Sequence, residues 1–202
     1  MHKTVIPFFL FLVVAPSTCS AQAEDDSSWS DESSRILDVS FTPGPGKDPH
    51  VLRIQGEESS IFALWILNAN KTAARQSLDA PESENSEGFS FVLPNDVRSM
   101  NAGALRDFFF LDVNFDGFLD IRIPEVVHPR NPLNAFWLFD PKTNEFHFNA
   151  DLSILPSVGV DVAKKELRSA DYDPDGAWEA TRYRWQDGKL IEIETTRGQD
   201  GG

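Results

Sequence analysis

The segment from Asp112 to Asp120, with the sequence DVNFDGFLD, places oxygen-bearing side chains at alternate positions and a glycine directly after the third of them. Calcium binds about six to eight oxygens, and alternate positions of such a loop supply them. Gly117 allows the sharp turn that brings both ends of the loop to one ion. The pattern predicts a calcium site whose ligands are Asp112, Asn114, Asp116, the carbonyl of Phe118, and Asp120.

The residues that follow the loop restrict its flanks to strands. Pro124 disfavours helical backbone at Ile123. Ile123 also stands where a helix-loop-helix site has its terminal bidentate glutamate. We therefore predict a strand-loop-strand site that Asp120 closes. The alternative is a turn in which the aspartates bond to backbone amides without a metal.

A second acidic segment, from Asp171 to Glu179, repeats the spacing of the first. It is a candidate second calcium site, in which Gly176 takes the turn position. The alternative is a solvated acidic hairpin tip. The candidate ligands of this second site are Asp171, Asp173, Asp175, the carbonyl of Ala177, and Glu179.

Short apolar runs alternate with turn residues along most of the chain. We predict hairpins at 136–149 and 179–195, a loop or short helix at 68–78, a surface loop at 79–88, and one short helix at 161–166. The sum is an all-β, β-dominated fold, either an antiparallel sandwich or a propeller-like arrangement of short strands, with an EF-hand-like calcium loop between strands. Further strands are predicted at 36–41, 50–54, 61–67, 89–93, 108–113 and 118–123.

The N-terminus predicts export to the periplasm or the exterior. Its apolar run at 5–14 is too short to span a bilayer and precedes the small-residue sequence Ala21-Gln22-Ala23. Lipidation of Cys19 is the alternative to simple cleavage. We predict a signal peptide at 1–23, a disordered acidic lead-in at 24–34, one β-rich domain at 35–197 and a flexible tail at 198–202.

Charge and motif content restrict the class of function. The formal net charge is −14, from 18 Lys and Arg and 32 Asp and Glu residues, which disfavours nucleic acid and anionic membranes as partners. No nucleophile elbow, phosphate-binding loop or HExxH pair is present. His50, His128 and His147 lie in separate segments without zinc-ligand spacing. We therefore predict a binding protein and not an enzyme.

Three blocks carry a family resemblance: FLDVNFDGFLDI at 110–121, FWLFDP at 136–141, and YRW at 183–185 with DGKL at 187–190. In this order they resemble the bacterial periplasmic calcium-binding lysozyme inhibitor and immunity proteins of the Xanthomonas type, which are related to I-type lysozyme inhibitors. The resemblance implies a β-rich fold, calcium at the first loop, and insertion of the 169–179 loop into a lysozyme cleft through Tyr172 and Trp178. Aspartates stand in that loop where the family has small and basic residues.

Two functions follow from these observations. The first is a secreted or periplasmic calcium-binding inhibitor or immunity-type protein that acts on a peptidoglycan hydrolase such as lysozyme. The alternative is a calcium-stabilised β-domain for adhesion or scaffolding, without an enzyme target. Calcium is the expected cofactor in both.

Overall fold

The computed structural model of the 202-residue chain describes residues 35–57, 60–78, 91–92, 97, 99–125 and 130–199. The predicted signal peptide with Cys19, the acidic lead-in and the loop at 79–88 lie outside these residues. The described residues form thirteen strands in three antiparallel sheets and two short helices. This confirms the prediction of a β-dominated fold. Neither of the described helices is long and apolar enough to cross a membrane.

The first sheet, sheet A, has the order β1-β2-β3-β4, and β5 also pairs with β3. Its first three strands confirm the predictions at 36–41, 50–54 and 61–67. The prediction of a loop or helix over 68–78 was wrong in part, because the Asn68 side chain accepts bonds from the amides of Thr72 and Ala73 and closes a tight turn before β4. The strands are β1 (Arg35–Phe41), β2 (His50–Glu57), β3 (Ser60–Asn68), β4 (Ala74–Ser77) and β5 (Phe91–Val92).

A short helix precedes the second sheet, sheet B, whose order is β6-β7-β8-β9. The strand predicted at 108–113 was wrong in part, because residues 108 and 109 belong to the helix and only residues 110 and 111 form a strand. Asn101 caps the helix by accepting the amide of Ala104 at 2.9 Å, and Leu105 and Phe109 are buried on one face of it. The elements are α1 (Ala102–Phe109), β6 (Phe110–Leu111), β7 (Asp120–Pro124), β8 (Asn134–Asp140) and β9 (Glu145–Phe148).

The third sheet, sheet C, has the order β10-β11-β12-β13. The predicted helix at 161–166 is instead a turn in which Asp161 pairs with Glu166. The C-terminal hairpin is confirmed, and β13 runs two residues past the predicted domain end at 197. A second helix, α2 (Ala150–Ser153), leads to β10 (Gly159–Asp161), β11 (Glu166–Tyr172), β12 (Ala177–Gln186) and β13 (Lys189–Gln199).

Sheet B lies between two hydrophobic clusters. Successive residues of β8 point to opposite faces of the sheet, so they belong to different clusters. Ala135 and Trp137 belong to the larger cluster, which sheets A and B form with α1. Phe136 belongs to the second cluster, together with Leu167 of sheet C. The calcium loop predicted between β6 and β7 therefore lies where all three sheets can reach it.

Candidate metal centre

The first acidic loop connects β6 to β7, and Leu111 pairs with Asp120 across its base. The strand-loop-strand flanks predicted from Pro124 are therefore present. Gly117 has a φ of 89° and Phe115 a φ of 61°, so two residues of the loop adopt left-handed backbone. That conformation is easy for glycine and strained for phenylalanine. The loop is therefore tightly coiled between its two strands.

Side-chain oxygens inside the loop hold its backbone. The Asp112 carboxylate accepts the amides of Asp116 at 3.1 Å and Gly117 at 2.9 Å. Asn114 Oδ1 also accepts the Asp116 amide at 3.0 Å. The Asp116 carboxylate accepts the amide of Phe118 at 2.9 Å. Three of the predicted ligands thus bond to backbone amides of the same turn and shape it.

Asp120 closes the loop from a fully buried position. Its two oxygens accept the amides of Val113 and Phe139, each at 2.9 Å. Burial, with smaller contributions from the charges of Asp116 and Asp112, raises the pKa of Asp120 to about 7 against the lowering effect of the two amide bonds. Burial, with the charge of Asp116, also raises the pKa of Asp112. The loop therefore concentrates negative charge that its own amides only partly balance.

The donor set suits calcium in its chemistry. Three carboxylates, one amide oxygen and one carbonyl are the hard oxygen ligands that calcium prefers. A carboxylate offers about four lone-pair sites, so the amide bonds leave further acceptor capacity on Asp112, Asp116 and Asp120. As they stand, no three His, Cys, Asp or Glu side chains in the described part of the chain have the spacing of a metal site. Calcium would require these carboxylates to turn toward one point.

The second acidic loop is a hairpin tip between β11 and β12. The Asp173 amide donates to the Ala177 carbonyl at 2.8 Å, and the Gly176 amide donates to Asp173 at 3.1 Å. The carbonyl predicted as a ligand therefore accepts a hairpin hydrogen bond. The side chain of Asp171 accepts from Asn131, and Glu179 pairs with Arg197. This geometry favours the alternative of an acidic hairpin tip over a second calcium site.

Tyr172 and Trp178 flank this tip and lie directly opposite each other on β11 and β12, so their side chains share one face of sheet C. Both are half-buried. The indole of Trp178 lies so close to Gly198 on β13 that a β-carbon there would overlap it. Asn131 holds the backbone of Tyr172 through bonds of 2.8 and 3.0 Å. Bonds from Asn131 thus hold the backbone of Tyr172, and the Trp178 ring packs against Gly198.

Contacts of the first loop with two distant segments of the chain were missed by the sequence analysis. The Leu119 amide donates to the carbonyl of Pro43 at 2.6 Å, and the Phe118 ring covers Gly44. The Pro/Gly turn at 42–46 signalled a turn but not its position against the loop. On the other side, the Trp185 indole donates to the carbonyl of Val113 at 2.9 Å. No local pattern predicts that bond, which joins residues 72 positions apart.

The chain was compared with known protein families, curated proteins and solved structures. The chain matches no protein-family model, no curated protein and no solved structure. Its resemblance to the lysozyme-inhibitor family therefore stays a prediction from the three sequence blocks.

Proposed function

We propose that this is a periplasmic or secreted protein that binds calcium at the 112–120 loop and inhibits a peptidoglycan hydrolase. The observation that carries the proposal is the buried carboxylate of Asp120 beside Asp112 and Asp116. Burial and like charge raise its pKa to about 7, so its ionised form costs free energy near neutral pH. A divalent cation bound by these carboxylates would offset that cost.

Calcium has a structural role in this proposal. The loop joins two strands of sheet B and also contacts the turn after β1 and the strand β12. An ion there would fix the junction of all three sheets. A sandwich- or propeller-like arrangement is part of the proposal, and the position of sheet B between two hydrophobic clusters supports layered packing.

The working surface in this proposal is the hairpin tip at 171–179. Its exposed Asp173 and Asp175 extend the acidic surface of a chain whose net charge is −14. An acidic inhibitor would approach a basic hydrolase faster through electrostatic steering. Tyr172 and Trp178 are held on one face of sheet C, where they suit subsites that stack sugar rings.

The acidic residues restrict how this tip could bind. Glycosidases use a pair of carboxylates, which would repel Asp173 and Asp175. We therefore assign the cleft contact to the aromatic pair and the contact with a basic rim to the aspartates. This absence of basic residues from 171–179 also favours the second candidate function, a calcium-stabilised adhesion or scaffold domain.

Calorimetric titration of the full chain with calcium tests the metal site. We expect one binding event, with a Kd as weak as about 10⁻⁴–10⁻³ M if the site is of the extracellular kind. Asp116→Ala removes the ligand at the fifth loop position and should weaken binding at least about tenfold. Asp175→Ala, the matched change in the second loop, should leave binding unchanged. No binding at millimolar calcium would refute the site at 112–120. Two binding events would instead support a second calcium site at 171–179.

Lysis of bacterial cell walls by several lysozyme types, with calcium present, tests the target. Molar excess of the protein should slow at least one type, and Trp178→Ala should relieve that inhibition. Ile191→Ala, a truncation of an exposed residue on β13, is the control and should not. Unchanged lysis with every type would reject the inhibitor and leave the adhesion or scaffold domain.

A further inference from the structure

Val113 lies between two predicted calcium ligands and is the residue through which the loop contacts sheet C. Its side chain is fully buried in the second hydrophobic cluster, against which Trp185 also packs. Its amide donates to the Asp120 carboxylate and its carbonyl accepts the Trp185 indole, each at 2.9 Å. Asp120 and Trp185 are thus bonded to the two peptide groups that flank Val113, one on each side.

Trp185 lies on the same strand, β12, as the predicted partner-binding residue Trp178. It lies near the end of β12 and the partner-binding residue Trp178 lies near its start. The two residues are seven positions apart, which corresponds to about 23 Å of extended chain. Strand β12 pairs with β13 along its whole length, with a register irregularity between Arg182 and Tyr183, and it pairs with β11 from Trp178 to Tyr183. Trp185 is therefore paired on one edge only, and the strand that links it to Trp178 is paired on both edges between Tyr183 and Trp178.

We infer that Trp185 is the positioning residue through which calcium at the 112–120 loop orders sheet C and, with it, the Tyr172–Trp178 face. This inference rests on the calcium site of the proposed function and adds its regulation. Coupling between two sites is reciprocal, so a partner bound at the hairpin tip should in turn raise the affinity for calcium. The target of the protein would thus be bound tightly only where calcium is present.

Hydrogen exchange of the full chain tests the coupling without any substitution. Amides of β12 and β13 should exchange more slowly in calcium than in chelator, because the ion fixes the loop against which Trp185 is bonded. If calcium binds by calorimetry and these amides exchange equally in both conditions, the coupling is refuted and the calcium site stands. If no calcium binds, the proposed function itself fails.

Trp185→Phe keeps an aromatic ring and removes the indole donor. It should weaken calcium binding by about twofold to tenfold, the value of one neutral hydrogen bond. It should also abolish the calcium-dependent difference in exchange of sheet C. A purely structural role would raise exchange by the same factor in calcium and in chelator, which would refute the inference.

Trp65→Phe is the matched control, because it removes an indole from β3 of sheet A, away from the Val113 carbonyl. We expect calcium affinity and the calcium-dependent exchange of sheet C to stay as in the unsubstituted protein. Equal losses in both variants would show that any tryptophan substitution loosens the fold, and the role of Trp185 would be refuted.

Discussion

At the scale of single residues, two buried ionisable groups are held in environments that oppose their charged forms. Asp120 is fully buried beside two other carboxylates. His50 is 1 % exposed at the start of β2, and neither ring nitrogen has a hydrogen-bond partner in the described residues. A buried charge without a partner is costly. Asp120 has a proposed ion to offset that cost, and His50 does not.

The burial of His50 therefore predicts a contribution of this residue that lowers stability in acid. Burial lowers its pKa, the backbone of Pro49 opposes this, and the charges of Arg75 and Asp48 act in opposite directions, so that the net shift is downward. The folded state then binds fewer protons than the unfolded state as pH falls below about 6.5. His50 should destabilise the protein progressively from there down, by at most about 1.4 kcal/mol per pH unit.

His50→Leu should remove this contribution and raise stability at pH 5 relative to pH 7, because leucine suits the contact with Phe41 and takes no proton. The raised pKa of Asp120 gives a slope of opposite sign, which stays in both proteins, so the comparison isolates His50. Urea denaturation between about pH 7 and pH 5 measures the contribution of His50. His147→Leu changes an exposed residue on β9 and should keep that contribution. An unchanged pH dependence in His50→Leu would contradict the assignment.

At the scale of elements, short-range alternation predicted strands well but not which face each residue takes. In the sequence LIEIE at 190–194, alternation predicts both glutamates on one face. The structure overturns this, since Glu192 pairs with Tyr183 and Glu194 with Arg182, its neighbour on β12. An irregularity in the register between Arg182 and Tyr183 accounts for the change of face. Ladder register depends on the neighbouring strand, which the local sequence does not contain.

The space for the Trp178 ring also depends on a neighbouring strand, because Gly198 on β13 is its partner. A methyl group at residue 198 would overlap the Trp178 indole, so Gly198→Ala should displace that ring. We expect a loss of stability of about 1–3 kcal/mol, the usual cost of overpacking. Tryptophan fluorescence and urea denaturation report the two effects.

Gly159→Ala is the control for this substitution. Residue 159 lies on the edge strand β10, and a β-carbon there would meet nothing within 4 Å. Its stability should change by no more than about 0.5 kcal/mol. Equal effects of the two substitutions would show that Trp178 does not depend on the missing side chain at residue 198.

At the scale of the whole molecule, one loop contacts elements from three sheets. Leu119 bonds to Pro43 beyond β1, Asp120 bonds to Phe139 in β8, and Val113 bonds to Trp185 in β12. The proposed ion in this loop would therefore stabilise the contacts among the sheets together. Cooperative unfolding of the whole domain follows from that arrangement.

Thermal unfolding should therefore show one transition that calcium moves as a whole. At about 10 mM calcium and a Kd of about 10⁻⁴–10⁻³ M, linkage gives about 1.4–2.7 kcal/mol. This corresponds to a rise in Tm of about 3–10 °C over chelator for a chain of this length. Scanning calorimetry measures it. Separate transitions for different sheets, or one Tm in both conditions, would contradict the prediction.

The sequence by itself determined the features that depend on neighbours along the chain. Apolar alternation and turn residues predicted most strands and both hairpins, and Pro124 predicted strand flanks for the first acidic loop. The aromatic run at 108–113 wrongly predicted a strand at its first two residues. The cap at Asn101 and the burial of Leu105 and Phe109 favour a helix up to Phe109. Local propensity is weak where packing decides.

Only the tertiary structure decided what surrounds the two acidic loops. Their spacing is the same, yet the first coils around its own side chains against a buried Asp120, and the second forms an exposed hairpin tip whose acids pair with Asn131 and Arg197. The difference lies in partners distant in sequence. Burial and electrostatic environment arise from such long-range contacts, so two segments with the same spacing of oxygen-bearing residues can lie in different surroundings.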